Sequence, residues 1–187
     1  MKIYFGIAGL LMVGAAGWAG MGGDPNRVPV NFTGGFETDP QDGGRPVVLV
    51  AGALGVKPQV FRDAFSRVNP ARDGAPSDER VHANKDVLLA ALAPYGITND
   101  RLDEVSDHYR YRPEEGERWP TRPAKAFAIL KGGEVVRFEI IDPGYGYTSA
   151  PLVGVKGMKG LRATLKLAFS ADFGKNGSVK ALALEKR

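Results

Sequence analysis

The sequence predicts an α+β protein in which a small helical-hairpin subdomain is followed by an antiparallel β-sheet (β-meander) subdomain. In residues 46–110, apolar residues recur at the three- and four-residue spacing of helices. In residues 124–187, apolar residues alternate with polar ones, as in strands that bury one face. The most regular stretch, residues 134–155, predicts a strand, a glycine-tyrosine corner braced by Gly144 and Gly146, and a second strand.

Composition limits the possible chemistry. The chain has 187 residues, of which 43% are hydrophobic and 25% charged, as in globular proteins. It contains no cysteine, which excludes disulfides, thiolate metal sites, cysteine nucleophiles and a lipid anchor attached to cysteine. The formal net charge is +4, with lysine and arginine mixed among acids, which is weak evidence for a nucleic acid or an anionic glycan as partner.

The N-terminus predicts export. Lys2 is followed by an uncharged apolar run to Ala19, with small residues at Gly17 and Ala19, as in secretory signal peptides cleaved after the last small residue. Residues 1–19 are therefore interpreted as a signal peptide, and the alternative is an uncleaved N-terminal anchor. We expect a periplasmic, cell-surface or extracellular protein that touches the membrane only through residues 1–19, if these are not removed.

The next two regions are a leader and a helical subdomain. Residues 20–45 are rich in Gly, Pro, Asn and Asp and predict a flexible leader. Residues 46–110 predict four helices that form two similar α-hairpins, with Gly55 of the first pair matching Gly96 of the second. The predicted helices cover residues 47–54, 59–68, 86–93 and 100–108.

The second half of the chain predicts a connector and strands. Residues 111–123 contain three prolines and predict an extended connector. Residues 124–187 predict antiparallel strands, with a hairpin turn at Gly132 and Gly133. Residues 177–182 echo residues 133–138, which indicates one and a half copies of a β unit whose open edge is completed by the helices or by a partner strand.

The corner sequence GYGYTSAP, residues 144–151, resembles the G-x-GY-[TS]-S-x-P corner of β repeats in phage and bacterial surface proteins. The helical sequence GITNDRLDEVS, residues 96–106, is similar to the segment that uncharacterised exported bacterial proteins join to such a β unit. The resemblance covers roughly residues 46–184 and implies the architecture, but it brings no catalytic residues with it. Tyr145 departs from the small residue usual at its position in the corner.

The residues around His108 suggest two catalytic arrangements. Glu104 and His108 are four residues apart on one helix face, a spacing that suits a divalent metal, while the alternative is a solvated acidic face that ends in a histidine. Ser106 and His108 are two residues apart and so point to different faces, and no G-x-S-x-G motif is present. The sequence therefore predicts no catalytic residues, no bound metal and no cofactor.

The predicted binding surface is an aromatic-cationic strip around the connector and the corner. Aromatic rings stack on sugars or prolines, and arginine adds bidentate hydrogen bonds. The alternative is that the same residues clamp the connector onto both subdomains with their rings buried. The strip consists of Tyr109, Tyr111, Arg112, Trp119, Arg122, Tyr145 and Tyr147.

These features favour an exported, non-enzymatic binding or structural protein of the cell envelope or extracellular space. The expected partner is a glycan or a protein ligand at the cell surface, and nucleic acid is not expected. Two alternatives remain: a small envelope hydrolase that uses His108 and neighbouring acids, and a subunit that pairs its β edge with a partner.

Overall fold

The computed structural model describes residues 24–69, 77–111 and 116–185 and confirms the α+β class. The predicted signal peptide and Arg112 lie outside these residues. In the part described, no helix is long and apolar enough to cross a membrane. The helices are α1 (Val47–Leu54), α2 (Pro58–Phe65), α3 (Asp78–Leu92) and α4 (Asn99–His108), and the strands are β1 (Arg27–Thr33), β2 (Lys125–Lys131), β3 (Glu134–Asp142), β4 (Leu152–Val155), β5 (Ala163–Ala168) and β6 (Ser178–Leu184).

The strands form a four-stranded antiparallel sheet in the order β3-β2-β1-β4 and a separate β5–β6 hairpin. Strand β1 lies inside residues 20–45, where the sequence predicted a flexible leader. The strand pattern is present, since Val28, Val30 and Phe32 are more buried than the residues between them, but Pro29 and the surrounding glycines obscured it. Pro29 falls in the half of β1 that is registered only with β2, where a missing N–H disrupts no second ladder.

Among the described residues, the helical part contains four α-helices where four were predicted. Gly55 follows α1 and Gly96 follows the single 3₁₀ turn after α3, and both glycines are left-handed, with φ of +72° and +73°. The predicted inner residues Phe61, Leu102 and Val105 are buried in one core with α1. Helix α3 begins eight residues earlier than predicted, because the Ser77 side chain accepts a hydrogen bond from the backbone of Arg80 and caps it.

Strand β3 contains two register shifts that the alternation did not reveal. Leu130 pairs with Val135 and Ile129 with Arg137, so Val136 is an extra residue and its side chain is 48% exposed. A second shift makes Ile141 an extra residue in the same way, at 55% exposure. The first bulge moves Val135 to the core-facing side of the sheet, which the simple two-residue period assigned to Val136.

The β5–β6 hairpin covers part of the inner face of the sheet. Val30, Ala126, Ala128 and Val155 form the buried centre of that face, and Leu182 of β6 packs against it. A neighbouring apolar cluster is built around Ala124, Tyr147 and Val179, and it includes residues of the hairpin and of the corner. The hairpin and the corner are therefore held by the same core.

Candidate functional site

The corner between β3 and β4 is tightly packed against the connector. Tyr145 forms a two-hydrogen-bond bridge with Arg122, with N···O distances of 2.9 and 3.1 Å. At Gly146, φ is +83°, and an added Cβ would lie 2.7 Å from the carbonyl oxygen of Pro120. A side chain at position 146 is thus excluded both by the backbone conformation and by the lack of space.

Tyr147 is buried at the centre of the corner, with 1% of its surface exposed. Its hydroxyl oxygen accepts a hydrogen bond from the backbone N–H of Ala124 at 2.9 Å, and its ring stacks on Phe36 with 4.4 Å between centroids. Burial raises the pKa of the Tyr147 phenol. Gly35 leaves room for the ring, since an added Cβ would lie 2.8 Å from it. Tyr147 therefore joins the residue that precedes β2 to the segment after β1.

Trp119 is also buried, with 2% of its surface exposed. Its indole N–H donates to the carbonyl oxygen of Gly146 at 2.9 Å. The ring of Tyr111 packs edge-on against it at 5.3 Å between centroids. Trp119 belongs to the core of the helical part, so this hydrogen bond links that core to the corner.

Asn176 connects the corner to the helices and was not singled out in the sequence. Its amide nitrogen donates to the carbonyl oxygen of Leu49 at 2.7 Å and to the hydroxyl of Tyr109 at 2.8 Å, and its amide oxygen accepts from the Ser170 N–H at 3.0 Å. Asn176 is fully buried. The Asn-Gly pair that it forms with Gly177 before β6 was the available signal, but it indicates only a turn.

The structure places most of the predicted strip inside the molecule. Tyr109, Trp119 and Tyr147 are buried and hydrogen-bonded, so these rings have no free face for a ligand. Tyr111 and Tyr145 are partly buried, and Arg122 is the one exposed residue among the members of the strip that the structure describes, with its guanidinium 3.2 Å from Asp142. This arrangement corresponds to the clamp alternative, because aromatic residues at a junction gain more by packing than by exposure.

His108 takes part in packing rather than in an arrangement suited to hydrolysis. Its ring stacks on Phe173 at 4.0 Å and packs edge-on against Tyr109 at 4.7 Å. Glu104 is engaged by Arg101 at 2.6 Å. Burial lowers the pKa of His108, an effect that Glu104 opposes and Arg101 reinforces. Among residues 24–69, 77–111 and 116–185, no three His, Asp or Glu side chains are grouped to hold a metal.

An open cleft lies beside the corner and was not anticipated from the sequence. Its centre is the ion pair of Asp42, which is 7% exposed, with Arg62. Both carboxylate oxygens accept from the guanidinium, at 2.7 and 2.9 Å. Arg45 donates to the backbone oxygen of Asp42 at 3.2 Å and covers the ring of Phe65 at 4.1 Å. Hydrogen bonding to Asp42 raises the pKa of Arg62, whereas burial lowers that of Arg45.

Two grooves meet at this ion pair, and together we call them the arginine cleft. The first has a volume of about 330 Å³ and includes Glu37 and Asp39 before α1 and Ser149 of the corner. The second has a volume of about 370 Å³ and includes Gln59 and Phe65 of α2. Asp42, Arg45, Val47 and Arg62 line both grooves. The two grooves are therefore adjacent, and the residues they share include both hydrogen-bond acceptors and donors.

No protein-family model matches the chain, and no curated protein or solved structure is significantly similar to it. The resemblance of the corner to surface-protein repeats therefore stays a prediction.

Proposed function

We propose that the protein is an exported, non-enzymatic binding protein of the cell envelope or extracellular space, and that its ligand is a glycan held in the arginine cleft. The observation that carries this proposal is the meeting of two grooves at the ion pair of Asp42 and Arg62, whose carboxylate is buried while its guanidinium is partly exposed. Each groove has the size of a small-molecule site, and apolar surface with a few charged groups suits the mixed faces of a sugar.

The chemistry of the lining supports a sugar over a ligand of one charge. Sugar hydroxyls donate and accept hydrogen bonds, so they suit a surface on which both kinds of group are close together. The first groove is lined by the acidic residues Glu37 and Asp39 as well as by Arg45 and Arg62. A uniformly anionic or cationic ligand would meet groups of its own sign there.

The two arginines are held in place before any ligand arrives. Arg62 uses Nε and Nη2 on Asp42, and this leaves its Nη1 without a protein partner among the described residues. Arg45 is fixed by its hydrogen bond to the Asp42 backbone and by the Phe65 ring. Because these side chains are already ordered, a ligand loses less binding free energy to ordering them.

Binding of soluble peptidoglycan fragments and other envelope glycans to the full chain, measured by titration calorimetry, tests this proposal. The variant Arg45→Met keeps the apolar stem over Phe65 but removes the donors, and it is expected to weaken binding by roughly tenfold or more, the value of a charged hydrogen bond. The control Arg80→Met removes an exposed arginine of α3 outside the cleft and should bind normally.

Equal binding by wild type and Arg45→Met would remove the cleft as the site. Absence of binding to every glycan in the panel would contradict the glycan proposal itself.

A further inference from the structure

The positive charge of the chain is concentrated near its C-terminal end. Residues 150–185 carry six basic and two acidic residues, so this segment alone has a net charge of +4, equal to that of the whole chain. The basic residues are Lys156, Lys159, Arg162, Lys166, Lys175 and Lys180, and the acidic ones are Asp172 and Glu185. The excess is therefore local, although the chain as a whole is only mildly basic.

The fold places three of these cations on one outward face of the β5–β6 hairpin. Leu165 and Leu167 of β5 face the core, so the alternating residues Arg162 and Lys166 face outward. A register shift next to Lys166 makes Lys180 an extra residue of β6, and Lys180 is exposed beside it. We call this outward side the basic hairpin face.

The basic hairpin face carries only short side chains between its cations, since Thr164 pairs with Ala183 and Lys166 pairs with Ala181. The lysine side chains are therefore the most prominent groups on this surface. One acid, Glu185, lies beside Arg162, to whose carbonyl oxygen its backbone N–H donates at 3.1 Å.

The lysines of this face are not neutralised within the described chain. Among residues 24–69, 77–111 and 116–185, neither Lys166 nor Lys180 forms an ion pair, whereas Lys175 of the same segment pairs with Asp172 at 3.0 Å. Exposed cations without protein partners contribute little to folding and are available to an external anionic partner. Lys156 and Lys159, on the loop before β5, are also exposed and add to the local field.

We infer that the basic hairpin face docks on the surface of a bilayer that contains anionic lipids. Charge complementarity gives the attraction, since lysines near an anionic leaflet are drawn to its headgroups. The residues between the cations have short side chains and form no groove walls, whereas a single polyanionic strand binds best in a groove that follows its backbone, so the face suits a layer of lipid headgroups better. This surface is separate from the arginine cleft and does not depend on the function proposed there.

The test measures co-sedimentation of the full chain with vesicles of phosphatidylcholine alone and with vesicles that also contain phosphatidylglycerol. The readout is the ratio of the two affinities, because any insertion of the apolar residues 1–19 adds to both. The double variant Lys166→Gln/Lys180→Gln is expected to lower this ratio by about 30-fold at low salt. The matched control Lys57→Gln/Lys131→Gln removes two exposed lysines elsewhere and should keep most of it.

The orientation of the docked protein gives a second readout. The chain has no cysteine, so Ala183→Cys carries a single fluorophore on the basic hairpin face, and Leu152→Cys carries one on β4. A headgroup quencher in the anionic vesicles should quench the label at position 183 and leave the label at position 152 bright.

Three outcomes would overturn the inference. They are a wild-type chain without preference for anionic vesicles, an equal loss in the two lysine double variants, and equal quenching at both labels. A fourth contrary result is that the wild-type chain binds soluble dextran sulfate more tightly than the anionic vesicles and loses this binding in Lys166→Gln/Lys180→Gln. That result would assign the face to a soluble polyanion and would overturn docking on a bilayer.

Discussion

The glycine-tyrosine corner and the arginine cleft lie side by side but use their polar groups in opposite ways. In the corner, Tyr147, Trp119 and Asn176 are buried, and their polar atoms are paired within the protein. In the cleft, Arg62 and Arg45 are ordered by protein partners yet line open grooves. The conspicuous aromatic residues therefore serve the fold, and the less conspicuous arginines are the better candidates for recognition.

The largest expected effect on stability is that of Asn176→Ala, which removes the link between the helices and the loop before β6. In Asn176→Ala, the carbonyl of Leu49, the hydroxyl of Tyr109 and the N–H of Ser170 each lose the hydrogen bond to the Asn176 side chain. We expect the free energy of unfolding to fall by about 3 kcal/mol or more, measured by urea titration. The control Asn31→Ala removes an exposed asparagine of β1, and a loss no larger than in this control would contradict the bridging role.

A smaller change tests Tyr147 alone. Tyr147→Phe keeps the stacked ring on Phe36 but removes the acceptor of the Ala124 N–H. The expected loss of unfolding free energy is about 1–2 kcal/mol, with glycan binding unchanged, since the ring does not line the cleft. Tyr95→Phe, at an exposed tyrosine, serves as the control and should leave stability unchanged. If the folded Tyr147→Phe variant lost glycan binding, the corner would contribute to binding and the separation of its role from that of the cleft would be wrong.

The smallest expected effect is a pH dependence at His108, which packs on the loop before β6 through Phe173. Its pKa in the folded chain is lower than the ordinary value of 6.5. Above pH 6.5 the His108 ring is mainly neutral in both the folded and the unfolded chain, so its packing contributes fully to the free energy of unfolding. As the pH falls, the unfolded chain takes up the proton first, and stability is lost through the folded pKa.

The unfolding free energy of wild type should therefore fall more steeply between neutral pH and about pH 5 than that of His108→Gln, measured by urea titration across pH. His82→Gln, at the exposed second histidine, should keep the wild-type slope. Parallel slopes for wild type and His108→Gln would show that His108 does not carry this dependence.

Local patterns predicted much of this architecture. The capping residue Thr98, the left-handed Gly96 and the buried pair Leu102 and Val105 lie within a few positions of one another, so short-range rules locate α4. The β2–β3 hairpin and the corner follow from glycines placed between alternating segments in the same way. Strand β1 was missed because proline is tolerated in a strand only where its missing N–H breaks no ladder. At Pro29 this holds because this part of β1 pairs with β2 alone, which depends on the sheet topology and not on the local sequence.

The candidate site depends on contacts that no local pattern contains. Asn176 meets Leu49 across 127 positions of sequence, and Arg62 meets Asp42 across 20. Burial of Trp119 and Tyr109 likewise depends on which elements pack over them, since their spacing in the sequence is compatible with both exposure and burial. Composition showed the modest net charge, but only strand register placed Lys166 and Lys180 on one face.

The position of β1 has a consequence for how the chain folds. Arg27 is paired with Ile129, so all four helices are made between the first strand and its partner in the sheet. The helices and the β2–β3 hairpin are able to form from nearby residues, whereas pairing of β1 with β2 requires closure of a loop of about a hundred residues. These local elements should therefore be in place first, and β1 joins the sheet late although it precedes the other described strands in the sequence.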